Sequence, residues 1–214
     1  MALTFYCGSG SPYAWKVWLA LEHKQIPYDF KLLSFDRGDL RTPEFRAVNP
    51  RGQVPTIVDN GFALWESMAI VEYLEERYPR QPLLPSNAAG RATVRRLMLE
   101  ADNHLNKAQS DLMNATLFRS ADTAEDPARI AEGRNKLLEE LRRWDALLTG
   151  EYLAGSLSLA DFTAYPFLRL VRRIDDRQPK NGLGDRMPAR LRAWMQRIEA
   201  LPYYAKTIPP HWKG

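Results

Sequence analysis

Asn49-Pro50-Arg51-Gly52-Gln53-Val54-Pro55-Thr56-Ile57-Val58-Asp59-Asn60-Gly61-Phe62-Ala63-Leu64-Trp65-Glu66-Ser67 carries the strongest structural signal in the chain. Gln53 to Thr56 closes a turn. The proline after Val54 pushes that residue's backbone out of the helical region, and such an X-Pro bond can be cis. An extended backbone there can pair with another extended backbone. Val54 to Val58 reads as a strand, Asp59-Asn60-Gly61 as a hairpin turn, and Phe62 to Trp65 as the returning strand. Ala69, Ile70, Tyr73 and Leu74 then recur at helical spacing, so Glu66-Ser67 opens a helix expected to run to Arg77. Free N–H groups and the positive dipole end favour a carboxylate at that start. One part of the stretch can grip backbone and the other an anion.

Upstream, Leu3-Thr4-Phe5-Tyr6 is a short β-type run ending in the turn-rich loop Cys7-Gly8-Ser9-Gly10-Ser11-Pro12. A helix follows from near Tyr13, carrying Trp15, Trp18, Leu19 and Leu21. It ends before Pro27, and Tyr28 to Leu33 is a second strand. Arg37 to Val48 reads as loop plus a short helix capped near Thr42-Pro43-Glu44. The order is therefore βαβ followed by ββα. Tyr78 to Pro85 holds three prolines and marks a boundary. Beyond it the apolar spacing predicts helices at about 87–118, 127–149, 158–175 and 188–200. Asp126-Pro127 fits a cap followed by a first-turn proline. Ser158-Leu159-Ala160-Asp161 has the form of an N-capping box, with Asp where Glu or Gln is usual. Pro166 is expected to kink the third of these helices without breaking it.

Composition narrows the functional classes. The chain has 214 residues, of which 45% are hydrophobic, enough for one large or two small cores. It shows no secretory leader and no apolar run approaching the ~20 residues that span a bilayer. A soluble, cytoplasmic protein is expected. A single cysteine, Cys7, forbids an internal disulfide, and three histidines without a pair at ligand spacing argue against a metal site. The net charge of +4 invites a nucleic-acid reading. However, Arg95-Arg96, Arg142-Arg143 and Arg172-Arg173 each have carboxylates nearby, as solvated helix faces do. No nucleic acid and no membrane partner is expected.

Four segments together resemble the glutathione transferase superfamily. They are Ser11 to Val17, Asn49 to Pro55, Glu66 to Leu74, and Ser158 to Asp161; their order and spacing cover nearly the whole chain. The resemblance implies a thioredoxin-like α+β domain over 1–78, a linker over 79–86, and an all-α helical domain over 87–214 that lines an electrophile site. It is closest to the bacterial, serine-type members. Glutathione is implied as cosubstrate, with Val54 before a cis Pro55 aligning the cysteinyl backbone. Gln53 reaches the glycyl end or main chain, Glu66 the γ-glutamyl ammonium and Ser67 its carboxylate. Arg37 and Arg51 remain open as glycyl-carboxylate partners. A homodimer is also implied, and the serine-to-aspartate box is structural in this family.

The chemistry follows from the thiol. A free thiol with pKa near ~8.5 is only about 3% thiolate at pH 7, and lowering that pKa by about two units takes ~2.7 kcal/mol of preferential stabilisation. A hydroxyl near the sulfur and the positive end of a helix suit this task. Ser11 is the expected catalytic residue, since its spacing before Val17 matches the family's catalytic Ser or Cys. From local sequence alone the favoured reading is a helix cap, with Pro12 at the first helical position. Ser9 and Tyr6 are the other candidate hydroxyls, and Cys7 without a CxxC partner reads as a buried structural thiol. Asn103, His104, Asn106, Lys107, Asp111, Asn114, Phe118 and Trp212 are candidates for contact with the second substrate. The expected reaction is transfer of glutathione to a small hydrophobic electrophile. Alternatives on the same fold are a glutathione-dependent isomerase, a dehalogenase, a disulfide reductase or a non-catalytic interaction module.

Overall fold

The computed structural model describes residues 3–118 and 124–212. It divides into two compact units, Met1–Leu84 with Leu201–Gly214, and Pro85–Ala200.

The first unit is built on a four-stranded sheet of order β2-β1-β3-β4. Its strands are β1 (Leu3–Gly8), β2 (Tyr28–Leu33), β3 (Thr56–Asp59) and β4 (Phe62–Trp65). β1 and β2 are parallel and joined through helix α1 (Pro12–His23); β1–β3 and β3–β4 are antiparallel. The hairpin turn places Asn60 at φ 50° and Gly61 at φ 86°, the two successive positive values that a tight β-turn of matching twist requires. Two further helices are α2 (Pro43–Val48), capped by Thr42, and α3 (Ser67–Arg77). α1 is buried over eight consecutive residues from Ala14 to Leu21, which explains why its apolar pattern is broad and its polar face small.

Strand β1 runs two residues further than the sequence indicates, taking Cys7 and Gly8 out of the loop. β3 starts two residues later, at Thr56, because Pro55 has no N–H to give the ladder. The proline-rich segment after α3 is tied down by one lysine. Lys24, its side chain fully buried, pairs with Glu75 at 2.6 Å and donates to the carbonyl of Tyr78 at 2.9 Å. Glu75 in turn accepts the Leu83 N–H at 3.1 Å, so neither buried charge lacks compensation.

The second unit is helical. α4 (Ala88–Glu100) passes through a π turn, Ala101–Leu105, into α5 (Asn106–Thr116). The sequence indicates one helix here. The Asn106 N–H reaches back five residues to Ala101 O, an insertion that shifts the helical face without interrupting the rod. α6 (Pro127–Leu147) starts at the Asp126 cap, and α7 (Leu159–Arg177) runs continuously through Pro166. The short α8 (Leu183–Arg186) and α9 (Ala189–Glu199) complete this unit; α10 (Tyr204–Thr207) returns to the first. Asp161 is the polar centre of the helical core. Its Oδ2 accepts from the Ser158 N–H and Oγ–H at 2.9 and 2.8 Å, and its Oδ1 from the Leu153 N–H and the Trp194 indole at 2.9 and 2.8 Å. No helix among the described residues is long and apolar enough to cross a membrane.

Candidate functional site

Strand register gathers three separate segments at one end of the sheet. Tyr6 lies opposite Thr56, and Thr56 opposite Trp65. Because β3 runs against both β1 and β4, the residues just past this row are Gly8 to Ser11, Val54-Pro55 and Glu66-Ser67. The contact is direct at one point: a Cβ added to Gly8 would fall 2.5 Å from Phe35 Cζ and 2.8 Å from Val54 Cγ2. The Phe35 ring, 53% exposed, and the Val54 side chain thus converge over the end of β1 because residue 8 has no side chain.

The Val54-Pro55 bond is cis. Fully buried Asn49 shapes the loop before it, its Nδ2 donating to Gln53 O at 2.8 Å and Thr56 Oγ1 at 2.9 Å while its Oδ1 accepts the Arg51 N–H at 2.9 Å. Thr56 Oγ1 donates to the same Gln53 carbonyl at 3.0 Å. The Gln53 carbonyl is therefore committed to the loop and its exposed side chain is not.

Glu66 has φ 68° and ψ 108°. A side-chain-bearing residue held there costs ~1–3 kcal/mol, and such strain persists where the surroundings over-determine it. Its carbonyl accepts the Ile70 N–H at 2.9 Å, while its exposed side chain makes no cap bond. Ser67 is buried as the first residue of α3, so the N–H groups of that first turn have no intrahelical acceptor. Arg37 is paired with Asp39 at 3.1 Å, and the Ser34 N–H together with this guanidinium holds the Asp39 pKa below the usual carboxylate value.

Ser11 caps α1: its Oγ accepts the Ala14 N–H at 3.3 Å, with Pro12 in the first helical position. The cap uses a lone pair and leaves the hydroxyl proton for another acceptor, so capping and chemistry are compatible in one side chain. The competing groups are placed differently. Tyr6 points to the α2 side of the sheet, 5.4 Å ring to ring from Phe45, bordering a cavity of about 290 Å³ with Leu33, Asp39 and Thr42. Cys7 is buried on the opposite face, and burial pushes its thiol up to about 12. At that value almost no thiolate exists near pH 7, which argues against disulfide chemistry at this residue.

Trp212 belongs to the first unit, edge-on to Trp15 at 5.3 Å. Its indole donates to His211 Nε2 at 2.8 Å, and His211 Nδ1 lies 2.5 Å from Ser9 Oγ. Phe35 and His211 escaped the sequence reading: Phe35 sits in a polar loop without periodicity, and a lone histidine carries no spacing signal. In the second unit, Lys107 pairs with Asp111 at 3.3 Å and Ser110 donates to Asn106 at 3.2 Å. Asn103, His104, Asn114 and Phe118 are exposed there. Among the described residues no cluster of His, Cys, Asp and Glu could hold a metal ion.

Comparison with known proteins identifies the family of the chain. The family model described as Glutathione S-transferase, N-terminal domain, covers residues 10–77, and its C-terminal counterpart covers 127–197. Glutathione S-transferase A of Pleuronectes platessa is 30% identical over 98% of this chain and 92% of its own length. A probable maleylacetoacetate isomerase of Vibrio cholerae is 29% identical over 98% of this chain and 96% of its own. Among solved structures, a Burkholderia graminis glutathione transferase with two glutathione molecules bound per subunit superposes with a TM-score of 0.85 at 25% identity, covering 100% of this chain and 90% of that one. With domain models matched in both units and a relative aligned along nearly its whole length, the chain belongs to the glutathione S-transferase family.

Proposed function

We propose that the protein is a glutathione transferase, in which bound glutathione thiolate attacks a small hydrophobic electrophile. The observation that carries this reading is the meeting, at one sheet end, of a helix-capping hydroxyl, a cis X-Pro turn and a helix start free to hold an anion. Val54 aligns the cysteinyl backbone through its own N–H and C=O, with Gln53 beside it. Glu66 takes the γ-glutamyl ammonium, and Ser67 with the first-turn N–H groups of α3 takes the carboxylate. The thiol then lies toward the start of α1. There the Ser11 hydroxyl donates to the thiolate and the helix dipole adds to its stabilisation, while the thiol proton leaves to solvent. A homodimer in the cytoplasm completes the reading.

The test is the ultraviolet thiolate band of bound glutathione, titrated over pH in the wild type and in Ser11→Ala. The band should persist below the free thiol's pKa and be lost in the variant, with turnover falling much more than glutathione affinity. An equal band in both proteins sinks Ser11; no glutathione binding at all favours a non-catalytic interaction module.

The Vibrio cholerae relative supports a second reading, a glutathione-dependent isomerase. The two differ in stoichiometry. A transferase consumes one glutathione per turnover, whereas an isomerase returns it, so following free thiol during turnover separates them.

A further inference from the structure

The loop between β1 and α1 carries a second serine whose hydroxyl is held by a hydrogen-bonded chain from the far end of the sequence. An indole N–H can only donate, so Trp212 Nε1, 2.8 Å from His211 Nε2, fixes that nitrogen as an acceptor. A neutral imidazole then carries its proton on Nδ1, which lies 2.5 Å from Ser9 Oγ and must donate to it. Ser9 Oγ is thereby an acceptor from histidine, and its own proton points elsewhere. Accepting one hydrogen bond also polarises the O–H and makes it a better donor.

The geometry around the chain is specific. Gly10 stands at φ 81°, and a Cβ there would lie 2.8 Å from His211 Cε1, so the imidazole rests on the loop backbone where only glycine permits it. Trp212 is held edge-on against Trp15 of α1 at 5.3 Å. Trp15 itself donates to Thr207 Oγ1 at 3.0 Å, at the end of α10. Helix α1 therefore supplies the wall that positions the tail, and the tail positions Ser9, two residues before the start-of-helix hydroxyl of Ser11.

We propose that Ser9 is a second thiolate donor beside Ser11, and that His211 and Trp212 are positioning residues that orient its hydroxyl. This rests on the glutathione reading above. The two donors stabilise the thiolate unequally, Ser11 at the helix start the more, so loss of Ser9 alone leaves a partly activated thiol. No proton is transferred along the chain: the thiol proton leaves to solvent, and the Ser9 proton stays on its oxygen while hydrogen-bonded to sulfur.

Three measurements on the full-length protein test this. Nitrogen-15 NMR of the His211 ring should show the Nδ1-protonated tautomer in wild type and its loss in Trp212→Phe; the Nε2-protonated form in wild type overturns the proposal without reference to any ligand. The bound-glutathione thiolate band should titrate higher in Ser9→Ala and His211→Phe, leaving about 3–10-fold less thiolate at pH 7. The double variant should match Ser9→Ala, because His211 acts only through the Ser9 hydroxyl. Unchanged titration in both variants, or additive effects, overturns it. Glutathione affinity by calorimetry should stay within about 2-fold in all variants below about pH 5, where the bound ligand is a thiol, and at pH 7 should fall by no more than the loss of thiolate. Wild-type protein that binds no glutathione overturns the catalytic reading as well, and is distinguished from failure of the Ser9 proposal alone by that same calorimetry.

Discussion

Ser158 and Ser11 each stand immediately before a long helix, α7 and α1, and both hydroxyls serve the first turn, yet they dispose of their protons in opposite ways. Ser158 donates to Asp161 Oδ2 at 2.8 Å, in a cluster that also fixes Leu153 and Trp194. Among the described residues the Ser11 hydroxyl only accepts, from the Ala14 N–H at 3.3 Å. The first proton is spent inside a core; the second is available to a ligand. On the proposed function, a serine at a helix start is structural or chemical according to whether an acidic residue three positions on takes its proton. Asp161 does so for Ser158, while Ala14 holds that place after Ser11.

The largest effect should come from breaking the structural member. Asp161→Ala would strand two N–H groups, an indole and a hydroxyl in the helical core, and is expected to destabilise the protein by roughly 3–5 kcal/mol in urea unfolding. A loss below about 1 kcal/mol would show that the cluster is not what organises that core. Ser11→Ala should behave in reverse. It should cost at most about 1 kcal/mol of stability as a lost cap, yet lower turnover on the order of 100-fold as a lost donor. Equal loss on both scales would erase the contrast between the two serines.

A smaller effect is expected where the loop of Ser11 meets the cis-proline turn. The Cβ of Gly8→Ala would collide with Val54 Cγ2, 2.8 Å away, and with the tip of the Phe35 ring. The exposed ring can swing aside, but Val54 follows Gln53, whose carbonyl is held by buried Asn49. Glutathione affinity should therefore fall about 10-fold while stability changes by ~1 kcal/mol or less. Unaltered affinity in calorimetry would mean that Val54 does not align the ligand backbone.

The legibility of these features in the sequence tracks their locality. Pro55, the Asp59-Asn60-Gly61 turn, the Asp126 cap and the Ser158–Asp161 box act through neighbours a few residues apart, so their residue types announce them. Where the strands end depended on ladder bonds, and β1 extends to Gly8 because Cys7 and Gly8 pair with Leu32 and Leu33. The π turn at Ala101–Leu105 leaves the apolar spacing nearly helical and so left no mark. Ser9's partner, His211, lies 202 residues away, and Phe35 is placed by a glycine it touches only in three dimensions. No periodicity encodes such contacts.

The far end of α1 offers the mildest test, and one that isolates folding from chemistry. His23 lies in the last turn, where the helix dipole would welcome a positive ring. Burial, assisted by the neighbouring charge of Lys24, instead lowers its pKa from the ordinary 6.5 to about 4. Its Nδ1 is 2.8 Å from the Tyr203 hydroxyl. Because the folded value lies below the unfolded one, the unfolded chain takes up the proton first as pH falls. The stability tied to the neutral ring is thus complete above about pH 6.5 and is lost progressively as pH drops toward 4. The ring is partly exposed, so solvent screening reduces this to about 1 kcal/mol. His23→Gln keeps a side chain able to bond Tyr203 but cannot titrate. The difference in urea midpoint between wild type and variant should shift against the wild type across that window, while parallel profiles would place the acid sensitivity in the carboxylates instead. Ser11 lies at the opposite end of the same helix, so thiolate activation near neutral pH should be unaffected by the substitution, which separates what the two ends of α1 contribute.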